Sequence, residues 1–483
     1  MERADAEAIY EQGRDAVVRV LLELSAQNER LAGQVESLSA RVARQDERIA
    51  QLERKLKSSS RNSSRPPSSD PPSSPPRSKD PSGREHGAQD GHEGHGRELL
   101  PLCAVDEVIE HWPERCTCGH LFSADERCTA GEPARHQIEE LPVISARVIE
   151  HRAHRVRCPN CGERTRARLS ADLGHSAFGP RLEAATAALS VRNRVSRNDA
   201  VELIEELFGA RISSGSVDAI LTRTANALAE PHEQLLASLR GSGALNMDET
   251  GWRTAGERRA LWGIFDQQHA YFSVQSDRHE DHAKELLADT QAIVTSDRWW
   301  AYAHLPLARR QLCWAHLRRD FKAHAEGLAA EKEFGEVGLE LCERVFWAWE
   351  VFANTGDRRE LKRMVRSLQR TYKPRIRSFA AKRARNKRCR GMAKNLLRLW
   401  PALWTFASHD HVQPTNNHAE RGLRSAVIYR KLSLGSQSAE GELRTARLFS
   451  AHTTCRLQRR SLFAYLTDAI AAHARGDPVP LLG

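Results

Sequence analysis

No stretch of the 483 residues approaches the roughly 18 apolar positions in a row that a membrane-spanning helix needs. The opening residues, MERADAEAIYEQ, lack the apolar core of a secretory signal. A soluble, cytoplasmic protein is the expectation. Cysteine is sparse: ten in a chain of this length make no disulfide scaffold, so close Cys pairs read as metal ligands in a reducing compartment. Acid is missing where base is dense. From Leu361 to Trp400 there is no Asp or Glu, while Lys362, Arg363, Arg366, Arg370, Lys373, Arg375, Arg377, Lys382, Arg383, Arg385, Lys387, Arg388, Arg390, Lys394 and Arg398 are cationic. So unbalanced a run costs self-repulsion unless phosphates neutralise it, and a net charge of +10 points the same way, to nucleic acid. Residues 58–98 have almost no apolar side chains and cannot offset the entropy of ordering, so they read as a Pro/Ser-rich disordered linker.

What is present falls into segments. In residues 1–57, Val17, Leu21, Leu24, Leu31, Val35, Leu38, Val42, Ile49, Leu52 and Leu56 recur with steps of four and three, broken at Asn28 and Gln45. That seam predicts a coiled coil and a homo-oligomer, at least a dimer. Residues 99–175 are short extended runs around Cys116, Cys118, Cys158 and Cys161, with Gly119 and Gly162 after the second Cys of each pair; the four thiolates are a zinc set of zinc-ribbon type. One residue rather than two separates the first pair, so His120, Cys128 or Cys103 are alternative ligands. Residues 176–240 read as helical, and 195–228 outline either a DNA-binding helix-turn-helix or an ordinary αα-hairpin.

The stretches NMDET (Asn246 to Thr250), TSDRWWAY (Thr295 to Tyr302) and TNNHAERGLR (Thr415 to Arg424) each place one acid, Asp248, Asp297 or Glu420, at a strand end or helix start. The pattern predicts strands at 243–247, 259–265, 270–274 and 292–296 and a helix at 280–287. Three carboxylates so fixed suit Mg2+, which leaves coordination positions for water and phosphate oxygens, and two such ions can hold both the attacking and the leaving oxygen at phosphorus. Singly, Asp248 and Asp297 read equally as turn residues, and Glu420 as part of a capping box with Asn417. In RRQLCWAHLRRDF (Arg309 to Phe321), Arg318 and Arg319 are candidates for the DNA backbone, and Cys313 for the core.

Six segments in order, SSSRNSSRPPSSD, HQIEELP, MDETGW, SDRWWAY, CWAHLRRDF and NNHAERGLR, resemble those of the insertion-sequence-66 family of bacterial transposases, the large TnpC-type protein. The resemblance implies a DDE triad of Asp248, Asp297 and Glu420 holding Mg2+ (or Mn2+) in an RNase H-like α/β domain within a multidomain, mainly α protein. That domain would comprise 241–327 and 401–440, interrupted by a basic helical insertion at 328–400 and followed by a helical region at 441–483. It implies a nucleoid-associated enzyme on double-stranded DNA that nicks element ends and joins their 3′ ends to target DNA, with companion proteins as possible partners. Lys382, Arg383, Arg385, Lys387, Arg388, Arg421, Arg424 and Lys431 join Arg318 and Arg319 as DNA-binding candidates, and Asn416 or Asn417 would orient the site. The alternative is a DNA-binding regulator or end-bridging scaffold with an inactive domain.

Overall fold

A computed structural model describes residues 10–11, 13–57, 98–170, 176–381 and 386–483. Residues 58–97 of the linker expected at 58–98, and Lys382, Arg383 and Arg385, lie outside the described residues. The chain divides into two compact units, one of Met1–Asp70, His151–Glu202 and Ile212–Gly483, the other of Pro71–Glu150 and Leu203–Arg211. Among the described residues no helix is long and apolar enough to cross a membrane.

The elements that position the site are in the larger unit. A five-stranded sheet runs β5-β4-β3-β6-β7, numbered after a short hairpin of β1 (Arg155–Arg157) and β2 (Arg164–Arg166). Its strands are β3 (Ala244–Thr254), β4 (Glu257–Phe265), β5 (Ala270–Gln275), β6 (Ile293–Ser296) and β7 (Arg310–Leu312). The first three form an antiparallel meander, while β6 and β7 run parallel to β3. Short connections suffice for the meander, and a crossover is needed before β6. The sequence supplies one at Glu280–Leu287, a helix whose N-cap His279 accepts from the Asp281 N–H.

The helices are α1 (Arg14–Lys57), α2 (Pro180–Val191), α3 (Arg197–Phe208), α4 (Ser214–Ala227), α5 (Ala229–Arg240), α6 (Glu280–Leu287), α7 (Trp314–Ala325), α8 (Ala329–Thr355), α9 (Arg358–Ala380), α10 (Lys387–Arg398), α11 (Asn417–Ser433), α12 (Ala439–Leu457) and α13 (Leu462–Arg475). One core joins the sheet to α2, α4, α5, α6 and α11–α13. Strand β5 is an edge, and α12 covers it: Ser450 and Thr454 hydroxyls accept from the Phe272 and Ala270 N–H groups at 2.9 and 3.0 Å. A second core joins β7 and α7 to α8–α10 and to the turns through Val412. Helices α7 and α8 cross so closely that a Cβ on Gly338 would lie 1.9 Å from the Phe321 ring.

Helix α4 packs against α2, α12 and α13. Val217, Ile220, Leu221, Thr224 and Ala225 of α4 are buried, and its one cation, Arg223, pairs with Glu183 at 2.5 Å. Helix α1 is continuous through the seam positions, and Leu21, Leu31, Val35, Leu38, Val42, Ile49 and Leu52 on it are exposed.

Candidate active site

Along β3 the side chains alternate, so Asn246, Asp248 and Thr250 share one face and Leu245, Met247 and Glu249 the other. The parallel ladder with β6 pairs Ala244 with Ile293 and Asn246 with Thr295. Two positions further along each strand stand Asp248 and Asp297. The sequence reading ended β3 at Asp248; instead it continues to Thr254, because Asp248 through Thr254 still pair with β4 after β6 has stopped. Asp248 therefore sits mid-strand where its parallel neighbour ends.

The third acid is brought in by a buried asparagine. Asn416, completely buried, donates from Nδ2 to the Met247 carbonyl and accepts from Asn246 Nδ2, both at 2.9 Å. Its N–H donates to Cys313 Sγ at 3.0 Å, and Trp314 N–H donates to the Pro414 carbonyl at 2.9 Å, so the starts of α7 and α11 lie side by side. Glu420 is one turn into α11, which lies across β3 and β4. The expected capping box is absent: Asn416 rather than Asn417 is the N-cap, with no side-chain cap bond. The Glu420 carboxylate turns instead to α7, where Arg319 donates to Oε1 at 3.0 Å and His316 Nδ1 lies 3.5 Å from it. A charged guanidinium outcompetes a backbone N–H for a carboxylate.

The electrostatics bind the three acids into one site. Burial raises the Asp248 acid well above the usual carboxylate range, and the charges of Glu249, Asp297 and Glu420 raise it further. Burial also raises Asp297, against the Trp299 N–H and Arg310, Arg298 and Arg278. Glu249, which the sequence reading did not single out, is pushed up to about 7 by burial and by Asp297. It accepts a 2.6 Å bond from Tyr302 Oη. Only the strand period marks it, since the residue after a site-facing Asp must point into the core. His316 is held down at about 3 by burial and by Arg319 and Arg298, so its ring is neutral, and Cys313 is raised to about 11 by burial.

The donor set fits a hard divalent cation. The Asp248 carboxylate, disfavoured by burial and by the charges of Asp297 and Glu420, is stabilised by the positive charge such an ion brings, and oxygen donors suit Mg2+ and Mn2+. A softer group stands beside them: Cys313, His316 and Glu420 have ligand atoms within 4.8 Å of one another.

The cationic candidates divide. Arg318, Arg421, Arg424, Lys431 and Lys387 are exposed. Arg319 is held by Glu420, and Arg388 donates to the completely buried Glu331 at 2.7 Å. On α9, Arg363, Arg366, Arg370, Lys373 and Arg377 line one shallow groove.

The two cysteine pairs have like local geometry. Cys116 N–H donates to the His120 carbonyl at 2.8 Å, Gly119 N–H to the Cys116 carbonyl, and Gly119 has φ +96°. Cys158 N–H donates to the Glu163 carbonyl at 2.7 Å, Gly162 N–H to the Cys158 carbonyl, and Gly162 has φ +73°. Bonds from Cys118 lower the Cys116 thiol, and bonds from Cys161 and Asn160 lower that of Cys158.

Residues 175–443, more than half of the chain, match the family described as Transposase IS66 family. The chain belongs to that family. Residues 15–98 match a second description, Family of unknown function (DUF6444). An uncharacterised protein of Sinorhizobium fredii, y4hP, is 26% identical over 242 residues, covering 46% of this chain and 43% of that protein. The chain thus spans less than half of that relative's length, and the relative's name assigns it no activity. The transposase match takes in all three acids, Asn416 and the whole basic helical body.

Proposed function

We propose that the protein is a DNA transposase in which Asp248, Asp297 and Glu420 hold Mg2+ or Mn2+, nick the ends of the element and join the freed 3′ ends to target DNA. The observation that carries this reading is the buried Asp248 carboxyl, raised further by the charges of Asp297 and Glu420, with the three acids on β3, just past β6 and on α11. The strand order, an antiparallel meander extended by two parallel strands, supports an RNase H-like core. The bound metal would supply the charge that lets water attack phosphorus and that stabilises the departing 3′ oxygen. The chain's residues do the positioning: Arg319 fixes Glu420, Asn416 ties α11 to β3, and Arg310 donates to the Asp297 carbonyl at 2.9 Å. Exposed Arg318, Arg421, Arg424, Lys431 and the α9 row are our candidates for double-stranded DNA, with Lys382, Arg383, Arg385, Lys387 and Arg388 of the sequence reading. Zinc is our proposal for Cys116, Cys118, Cys158 and Cys161, supported by their glycine-closed turns. A homo-oligomer through α1 is supported by its exposed seam.

The test is magnesium-dependent nicking and strand transfer on DNA carrying the element's own ends. Wild type should cut, and Asp248→Ala, Asp297→Ala and Glu420→Gln should fold and bind DNA with activity below detection. Wild-type protein that binds the ends without cutting, companion proteins included, would overturn the reading in favour of a regulator or scaffold.

A further inference from the structure

Two indole rings stand in water immediately after Asp297. Trp299 and Trp300 are 39% and 46% exposed, whereas the next two residues, Ala301 and Tyr302, are completely buried. Tryptophan is highly buried on average, so an adjacent exposed pair calls for an explanation. Fraying does not provide one. The Trp299 N–H donates to Asp297 Oδ1 at 2.8 Å, and the buried Arg310 guanidinium donates to the carbonyls of Asp297 and Trp299 at 2.9 and 3.5 Å. The Trp299 indole N–H reaches the Arg278 carbonyl at 3.4 Å. The two rings are 5.9 Å apart and inclined at 44°, and the far side of Trp300 meets His279 edge-on at 5.0 Å. Both rings are thus held in place with surface to spare.

The surroundings select the occupant. A protein or lipid partner would need a broad apolar patch, but the rings are rimmed by polar groups. Arg278 is half-exposed and gives its carbonyl to the Trp299 indole, Arg298 directly before Trp299 is paired with Asp320 at 2.5 Å, and Asp297 accepts from the Trp299 N–H. Flat π surface beside guanidinium groups is what a nucleotide fits, with its base on the rings and its phosphate at the cations. We propose that Trp299 and Trp300 are a stacking platform for one unpaired base of the DNA strand whose backbone passes Asp248, Asp297 and Glu420. This rests on the transposase reading and deepens it. A base stacked here would be out of the duplex, opening the end where the strand is to be cut.

Stacking is indifferent to sequence, so the test needs no element end. Full-length protein is titrated in magnesium-free buffer against two duplexes of one arbitrary sequence. One carries a single unpaired 2-aminopurine and the other pairs it with thymine. Wild type should bind the bulged probe about tenfold more tightly and quench its fluorescence. Trp299→Ala and Trp300→Ala should lose most of that preference while keeping their affinity for the paired duplex, and Trp300→Phe should retain it. Equal wild-type affinities, alanine variants that keep the preference, or an equal loss on both probes would each overturn the platform. If an alanine variant lacks the native melting transition, Trp300→Leu replaces it, with loss expected for Leu and retention for Phe. The readout involves no cutting, so a preference for the bulge in a protein that never nicks its own ends would keep the platform and sink the transposase reading.

Discussion

Tyr302 donates its hydroxyl to Glu249, a largely buried acid on the face of β3 opposite Asp248. Nothing in the sequence joins these residues, which lie 53 positions apart, so their pairing was illegible; the acids of the site were legible because each stands in its own patterned segment. Buried histidines give a further consequence at this scale. His232 stacks 4.3 Å from Tyr271, and burial holds it down at about 4; His452 is held at about 4 by burial and by Arg456, Arg192 and Arg194. The unfolded chain takes up these protons near pH 6.5 and the folded chain only near 4. Between those values the unfolded state binds more protons, so stability should fall as pH drops from about 6.5 to 4. The slope should be about 1.4 kcal/mol per unit for each histidine. Urea unfolding of wild type and variants across that range should show His232→Gln and His452→Gln each flattening the pH dependence by about 1.4 kcal/mol per unit.

At the scale of the element, β3 and α11 are where the structure departs from the sequence reading. Asp248 read singly as a turn residue, but nine consecutive pairs with β4 carry the strand through it to Thr254. The start of α11 suggested a self-contained cap, but the partner of Glu420 is on α7, 101 residues earlier. Short-range pattern identifies a strand or helix; which long-range partner prevails at its end is settled only by packing. The seating of α11 is tight. A Cβ on Gly422 would come 2.2 Å from the Phe265 ring. Gly422→Ala should therefore push α11 off β4, at a cost of about 1–3 kcal/mol, and carry Glu420 away from Asp248. The variant should fold, with a lower urea midpoint, and lose nicking far more than DNA binding. A variant with wild-type nicking would show that Glu420 is not held through this contact.

For the whole molecule, charge matters more than shape. The basic row of α9 lies on a helix whose buried residues, Leu361, Val365, Tyr372 and Ile376, serve the second core, so one face can change without unfolding the body. Each phosphate contact contributes about 0.9 to the slope of log affinity against log salt. Replacing Arg366, Arg370 and Arg377 with Gln should flatten that slope by about 3 and leave the melting temperature near wild type. An unchanged slope would remove α9 from the DNA interface. The basic character of the body was plain from the missing acids between Leu361 and Trp400, whereas the tie of Arg388 to buried Glu331 was not, because a cation run does not show which of its members face inward.

Glu420 is synthesised 123 residues after Asp297. At translation rates of about 5–20 residues per second that gap lasts roughly 6–25 s. During it the chain from β7 through the helical body is being made, and Asp248 and Asp297 have no third carboxylate. A nascent or prematurely terminated chain can therefore display basic helices to DNA while still lacking α11. On the transposase reading proposed above, a chain that ends before α11 can cut no DNA.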